Sequence, residues 1–129
     1  MRVAEMMSGK PIAVGVEDSL SQLSELLQSV TFHHFPVLAG GELVGVIKDT
    51  DIYRAMVLQG ETGAPLIASQ IMTAHPITVG ARMSVQSAAS LMLSEGVSCL
   101  PVLDNAELIG IVTWKDMLKV CVESDCFQG

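Results

Sequence analysis

A hydroxyl and a carboxylate three residues apart, Thr113 and Asp116, close the stretch Gly110-Ile111-Val112-Thr113-Trp114-Lys115-Asp116. The first half of that stretch is short, β-branched and apolar, the pattern of a buried strand. Beyond it, Met117, Leu118, Val120 and Cys121 fall at helical spacing. Thr113 stands at the junction, where a side-chain oxygen accepts from the free N–H groups of a helix start. Asp116 then completes a capping-box-like pair, with Asp in place of the usual Glu or Gln. The same two groups have a second reading. A carboxylate at a strand-to-helix corner can accept hydrogen bonds from a ribose diol, as an acidic residue does in dinucleotide-binding folds. The stretch has a twin, Gly45-Val46-Ile47-Lys48-Asp49-Thr50-Asp51, which keeps the carboxylate as Asp51 but replaces the hydroxyl with Lys48. A lysine at that corner can reach a phosphate as a point charge. It can equally pair with Asp51 or Asp49 and close the corner.

Other chemistry-bearing residues are fewer. His33 and His34 precede an apolar run, and their twins are Ser98 and Cys99. A histidine there could contact a phosphate or titrate near neutral pH. The alternative is an ordinary loop-to-strand junction with one ring exposed and one packed. No C-x-x-C or H-x-x-x-H spacing supports a zinc site. Cys99 leads into a buried strand without a base placed beside it by sequence, so it reads as a small core residue. Cys121 and Cys126 fall near a fraying end. Arg54, Lys115 and Lys119 sit on helices as solvated charges by default. No pair of residues has the spacing of acid–base or nucleophilic chemistry, so an enzyme is not expected.

These groups must be positioned by one compact core. The chain has 129 residues, 50% of them hydrophobic, 4% aromatic and 16% charged, which describes an aliphatic globular protein. No apolar run is long enough for a membrane helix. The N-terminus has no apolar signal core, and three cysteines form no framework, so a cytoplasmic location is expected. The net charge of −7 argues against a nucleic-acid surface, while a small anion can still be held by a local cation or a helix N-terminus.

The elements repeat. One gapless register carries Met7 onto Met72, Pro11-Ile12 onto Pro76-Ile77 and Val14-Gly15 onto Val79-Gly80. It carries Ser19 onto Ser84, Pro36-Val37-Leu38 onto Pro101-Val102-Leu103, Gly45 onto Gly110 and Asp51 onto Asp116. Proline and glycine matches weigh most, because those residues fix backbone geometry. Two long copies suggest two pseudo-symmetric halves packed together. Short helices are expected at 3–7 and 67–72, and short strands at 12–14 and 77–79. Ser19 and Ser84 cap amphipathic helices. Apolar runs at 35–38 and 100–103 are followed at hairpin distance by 43–47 and 108–112. Closing helices are expected at about 49–59 and 114–124. Each copy is therefore β-α-β-β-α, in an α/β (α+β) fold. The first repeat takes residues 1–60, a connecting loop 61–66 and the second repeat 67–129.

Paired copies of this unit, opened by Ile71-Met72-Thr73-Ala74-His75-Pro76-Ile77-Thr78-Val79 and centred on Leu100-Pro101-Val102-Leu103-Asp104, resemble the cystathionine-β-synthase (CBS) domain. The stretch from Gly110 to Asp116 is similar to that family's closing motif, Gly-apolar-x-Thr/Ser-x-x-Asp, and the resemblance covers nearly the whole chain. It implies a Bateman module, two CBS repeats packed as one, that binds an adenosine-containing ligand (AMP, ADP, ATP or S-adenosylmethionine) in a cleft between the repeats. It implies that Thr113 and Asp116 hold the ribose. It also implies that the adenine lies against Ile77, Thr78, Val97, Ser98, Leu100 and Pro101, largely through backbone groups. Lys48, Asp51, His33 and His34 are then candidates for a second site or a phosphate contact. The ligand would be a regulatory signal rather than a cofactor. The module would form a homodimer and, lacking a second domain, would act on a separate protein in trans or as part of a longer one. The competing expectation is a ligand-free dimerisation scaffold, which Lys48 favours in the first half.

Overall fold

The computed structural model describes residues 1–124. In chain order its elements are α1 (Val3–Met6), β1 (Ser8–Gly9), β2 (Val14–Gly15), α2 (Leu20–Ser29), β3 (His34–Ala39), β4 (Glu42–Lys48) and α3 (Asp49–Thr62). They are followed by α4 (Ala68–Ile71), β5 (Thr73–Ala74), β6 (Val79–Gly80), α5 (Val85–Glu95), β7 (Cys99–Asp104), β8 (Glu107–Thr113) and α6 (Trp114–Glu123). The expected serine caps are in place. Ser19 Oγ accepts from the Gln22 N–H at 3.1 Å, and Gln22 Oε1 accepts from the Ser19 N–H at 2.8 Å. Ser84 Oγ accepts from the Ser87 N–H at 3.1 Å. No helix among the described residues is long and apolar enough to cross a membrane.

The described chain forms two compact units, one of residues 12–76 and one of residues 1–11 with 77–124. We refer to them as the first-repeat and second-repeat units. The first-repeat unit has a sheet of order β2-β3-β4-β5. Strand β2 runs parallel to β3, as the intervening α2 crossover requires, and β4 is antiparallel to both its neighbours. Its core gathers Val14, Leu20, Leu23, Phe35, Val37, Ile47, Ile52, Ala55 and Ala68. The second-repeat unit has the corresponding order β6-β7-β8-β1, around Val3, Val79, Ala88, Met92, Leu100, Val102 and Val112. The hairpins turn at Gly40-Gly41 and Asn105-Ala106, all four with positive φ. That is the requirement of a two-residue turn whose twist matches the strands.

The two-residue strands β1 and β5 were not expected from sequence. Each lies along the edge of the long hairpin, with Ser8 opposite Ile111 and Thr73 opposite Val46. Each is followed by a left-handed residue, Lys10 or His75. Strand β5 stays in the first-repeat unit, whereas β1 carries the opening segment of the chain into the second. There Val3 is fully buried, and its N–H donates to the Met83 carbonyl at 2.8 Å. The glycine in each closing strand has a specific job. A Cβ on Gly110 would overlap Met7 Sδ and come within 2.9 Å of the Ser8 carbonyl oxygen. A Cβ on Gly45 would overlap Met72 Sδ and come within 3.0 Å of the Thr73 oxygen. Only glycine lets the edge strand and its methionine lie this close.

Candidate functional site

At the end of β8 the buried Ile111 and Val112 give way to half-buried Thr113. The backbone N–H of Thr113 donates to Asp116 Oδ2 at 2.8 Å, and its hydroxyl donates to the same oxygen at 3.2 Å. The cap is reciprocal, since the Asp116 N–H lies 3.4 Å from Thr113 Oγ1. The other oxygen, Oδ1, accepts from Ser8 Oγ at 3.3 Å. The capping role is therefore real, and it leaves Oδ1 with acceptor capacity to spare, because a carboxylate offers about four lone-pair sites. A cavity of about 220 Å³ borders the carboxylate, lined by Met1, Glu5, Met6, Asp116, Lys119, Val120 and Glu123. Its size suits one end of a nucleoside-sized molecule rather than the whole.

The other residues expected around an adenine, Ile77, Thr78, Val97, Ser98, Leu100 and Pro101, all belong to this same unit. Ile77, Thr78, Val97 and Ser98 are half-buried, and the Ser98 carbonyl accepts from the Trp114 N–H at 3.2 Å, tying the strand start to the helix start. Leu100 and Pro101 are fully buried. Their side chains serve the core, so only backbone could face a ligand at those two positions.

The first-repeat corner is built differently. The Lys48 N–H donates to Asp51 Oδ2 at 2.8 Å, but its side chain makes no capping bond. Nor does its ammonium pair with Asp49 or Asp51, as the sequence allowed. Asp51 Oδ1 instead faces Arg54 at 3.6 Å, and Asp49 Oδ2 faces His33 Nδ1 at 2.8 Å. Lys48 is exposed, and a long flexible stem has no reason to fold back when nearer partners already hold both carboxylates. Among the described residues no His, Cys, Asp or Glu cluster could hold a metal ion. Cys126 lies outside the described residues.

Of the two histidines, His33 is exposed and His34 half-buried. Burial lowers the His34 pKa below its ordinary 6.5; Asp49 and Asp51 oppose that shift, and His33 and Lys48 add to it. Between 6.5 and the lowered value the unfolded chain binds a proton that the folded chain refuses. Stability is thus fully present above 6.5 and is lost as pH falls through the folded value. Urea midpoints should fall as pH drops below 6.5, and His34→Gln should flatten that slope. An unchanged slope in the variant would contradict the assignment.

The CBS domain profile matches residues 3–58 and 68–123. The inosine-5′-monophosphate dehydrogenase of Korarchaeum cryptofilum is 37% identical over 107 residues, covering 82% of this chain and 21% of that enzyme. The chain thus spans about a fifth of that relative, in which a CBS pair is only a part. The CBS domain pair of protein MJ0100, solved with 5′-methylthioadenosine and S-adenosyl-L-methionine, superimposes with a TM-score of 0.84 at 26% identity, over 96% of this chain and 98% of that one. CBSX2 of Arabidopsis thaliana, solved with AMP, gives 0.79 at 26% identity, again over 96% and 98%. The matched repeats, their folds and the closing motif agree: the chain belongs to the CBS domain family and carries a tandem pair of CBS domains.

Proposed function

We propose that this CBS pair is a regulatory sensor of an adenosine-containing ligand, either an adenine nucleotide (AMP, ADP or ATP) or S-adenosylmethionine, held at the β8–α6 corner. The observation that carries the reading is Asp116. Neutral donors orient it from three directions, yet its Oδ1 remains able to accept from a ribose hydroxyl. Two similar CBS pairs were solved with adenosyl ligands, which supports the ligand class. At the first-repeat corner Arg54 and His33 face the two carboxylates, and Lys48 stands where the second repeat has a hydroxyl. These differences favour one ribose site per chain, on the second repeat. Binding would favour one arrangement of the protein by its differential affinity, and a partner acting in trans in the cytoplasm would read that arrangement. Thermal melting with AMP, ADP, ATP, S-adenosylmethionine, NAD and GTP tests this. A ligand at a hundredfold excess over Kd adds about 2.7 kcal/mol, a shift on the order of 10 °C for a chain of this length. A shift with an adenosyl ligand supports the sensor, and no shift with any of them supports the scaffold.

The sensor is also expected to self-associate. On α6, Trp114, Leu118 and Val122 are 56%, 44% and 63% exposed at helical spacing. On α3, Tyr53 and Val57 occupy the twin positions of Leu118 and Val122 and are 55% and 64% exposed. Apolar stripes of this kind mark interaction faces, and their duplication within one chain fits a second copy in a symmetric dimer. Sedimentation velocity should give a dimer for the wild type and a monomer for Leu118→Glu/Val122→Glu, with little change in melting temperature. A wild type that sediments as a monomer would contradict this.

A further inference from the structure

The ribose reading assigns Thr113 and Asp116, both from the second repeat's own closing motif, and leaves Ser8 without a role. Ser8 comes from the opening segment of the chain and reaches Asp116 only because β1 pairs with β8, Ser8 opposite Ile111. The packing of Met7 against Gly110 holds that strand down. Ser8 is exposed and its hydroxyl donates to Asp116 Oδ1 at 3.3 Å. A serine hydroxyl has one proton to give and two lone pairs. With the proton committed to Asp116, both lone pairs remain to accept, and the carboxylate polarises the hydroxyl so that it accepts well.

Two acceptors, Ser8 Oγ and Asp116 Oδ1, therefore lie side by side at a spacing that matches hydroxyls on adjacent carbons. The first-repeat unit lacks this arrangement. There the twin of Ser8 is Thr73, and the second oxygen of Asp51 faces the Arg54 guanidinium instead. We propose that Ser8 is a specificity-determining residue of the ligand site: one ribose hydroxyl donates to Asp116 Oδ1, and its neighbour donates to Ser8 Oγ. This rests on the adenosyl-sensor reading. It makes the site a vicinal-diol reader completed by the first residues of the chain, and it selects ribonucleosides over their deoxy forms.

The test is titration calorimetry of the full chain with adenosine, 2′-deoxyadenosine and 3′-deoxyadenosine, using wild type, Ser8→Ala and Ser8→Thr. Wild type should bind adenosine more tightly than either deoxy compound, by up to about tenfold for the hydroxyl lost from Ser8 and by about ten- to a hundredfold for the one lost from the Asp116 carboxylate. Ser8→Ala should weaken adenosine by the smaller factor and abolish the discrimination against one of the two deoxy compounds, while retaining it against the other. Ser8→Thr, which keeps the hydroxyl, should restore both. A merely structural serine would weaken all three compounds alike. If wild type binds adenosine and Ser8→Ala discriminates as wild type does, the Ser8 assignment is wrong and the sensor reading stands. If wild type binds none of the three, the Ser8 assignment falls, while the sensor reading is decided separately by binding of the nucleotides and S-adenosylmethionine.

Discussion

A chain beginning at Ile12 is expected to lose the fold of its second-repeat unit. Residues 1–11 belong to that unit rather than forming a leader to the first repeat. The deletion removes Val3 from the core, where it is 0% exposed; burying a side chain of that size contributes about 1.5–3 kcal/mol. It also removes the bonds from Val3 N–H to Met83 and from Ala4 N–H to the Ala81 carbonyl at 3.0 Å, together with the acceptor for the Val85 N–H at Met1. The β1–β8 ladder and the Arg2 guanidinium bond to the Arg82 carbonyl go too. Each bond is worth about 0.5–1.5 kcal/mol net, so the total rivals the whole stability of a small domain, roughly 5–15 kcal/mol. The bared edge of β8 is also a template for aggregation. Hydrogen exchange should show β7 and β8 unprotected in the truncated chain. Native protection there would contradict the account.

Gly110→Val is expected to destabilise the same unit by about 3 kcal/mol, the upper part of the usual range for overpacking. The Met7 thioether could swing aside, but the Ser8 carbonyl is backbone and can move only if β1 lifts from β8. Removing the flexible partner therefore recovers only part of the loss: Met7→Ala/Gly110→Val should stay well below Met7→Ala in urea midpoint. Full recovery would mean that the methionine alone demands the glycine. Because β1 carries Ser8, a lifted strand should also weaken binding at Asp116.

Much of this was legible because the repeat doubles the signal. A Pro, Gly or Ser that recurs in register marks a turn, a close approach or a cap. Ser19 and Ser84, the two long hairpins and both closing helices appear where the sequence puts them. The Thr113–Asp116 pair was legible as a cap, which the structure shows, and as an acceptor, which is the role proposed for it above. Less legible were β1 and β5. Two residues have no periodicity, and they are strands only because distant residues, Ile111 and Val46, lie beside them. For the same reason the sequence could not show that residues 1–11 pack with 77–124, nor that Ser8 meets Asp116. Lys48 was a true departure, but its effect depended on Arg54 and His33 reaching the carboxylates first, which spacing alone does not decide.

The most direct test of the central claim is titration calorimetry of AMP and S-adenosylmethionine into the wild type and Asp116→Ala. The cap lost with Asp116 costs about 1 kcal/mol, which leaves a folded protein to titrate. The account predicts saturable binding of at least one ligand at one site per chain, and its loss in the variant. Equal affinity in the two proteins would contradict it, and so would two equivalent sites in the wild type.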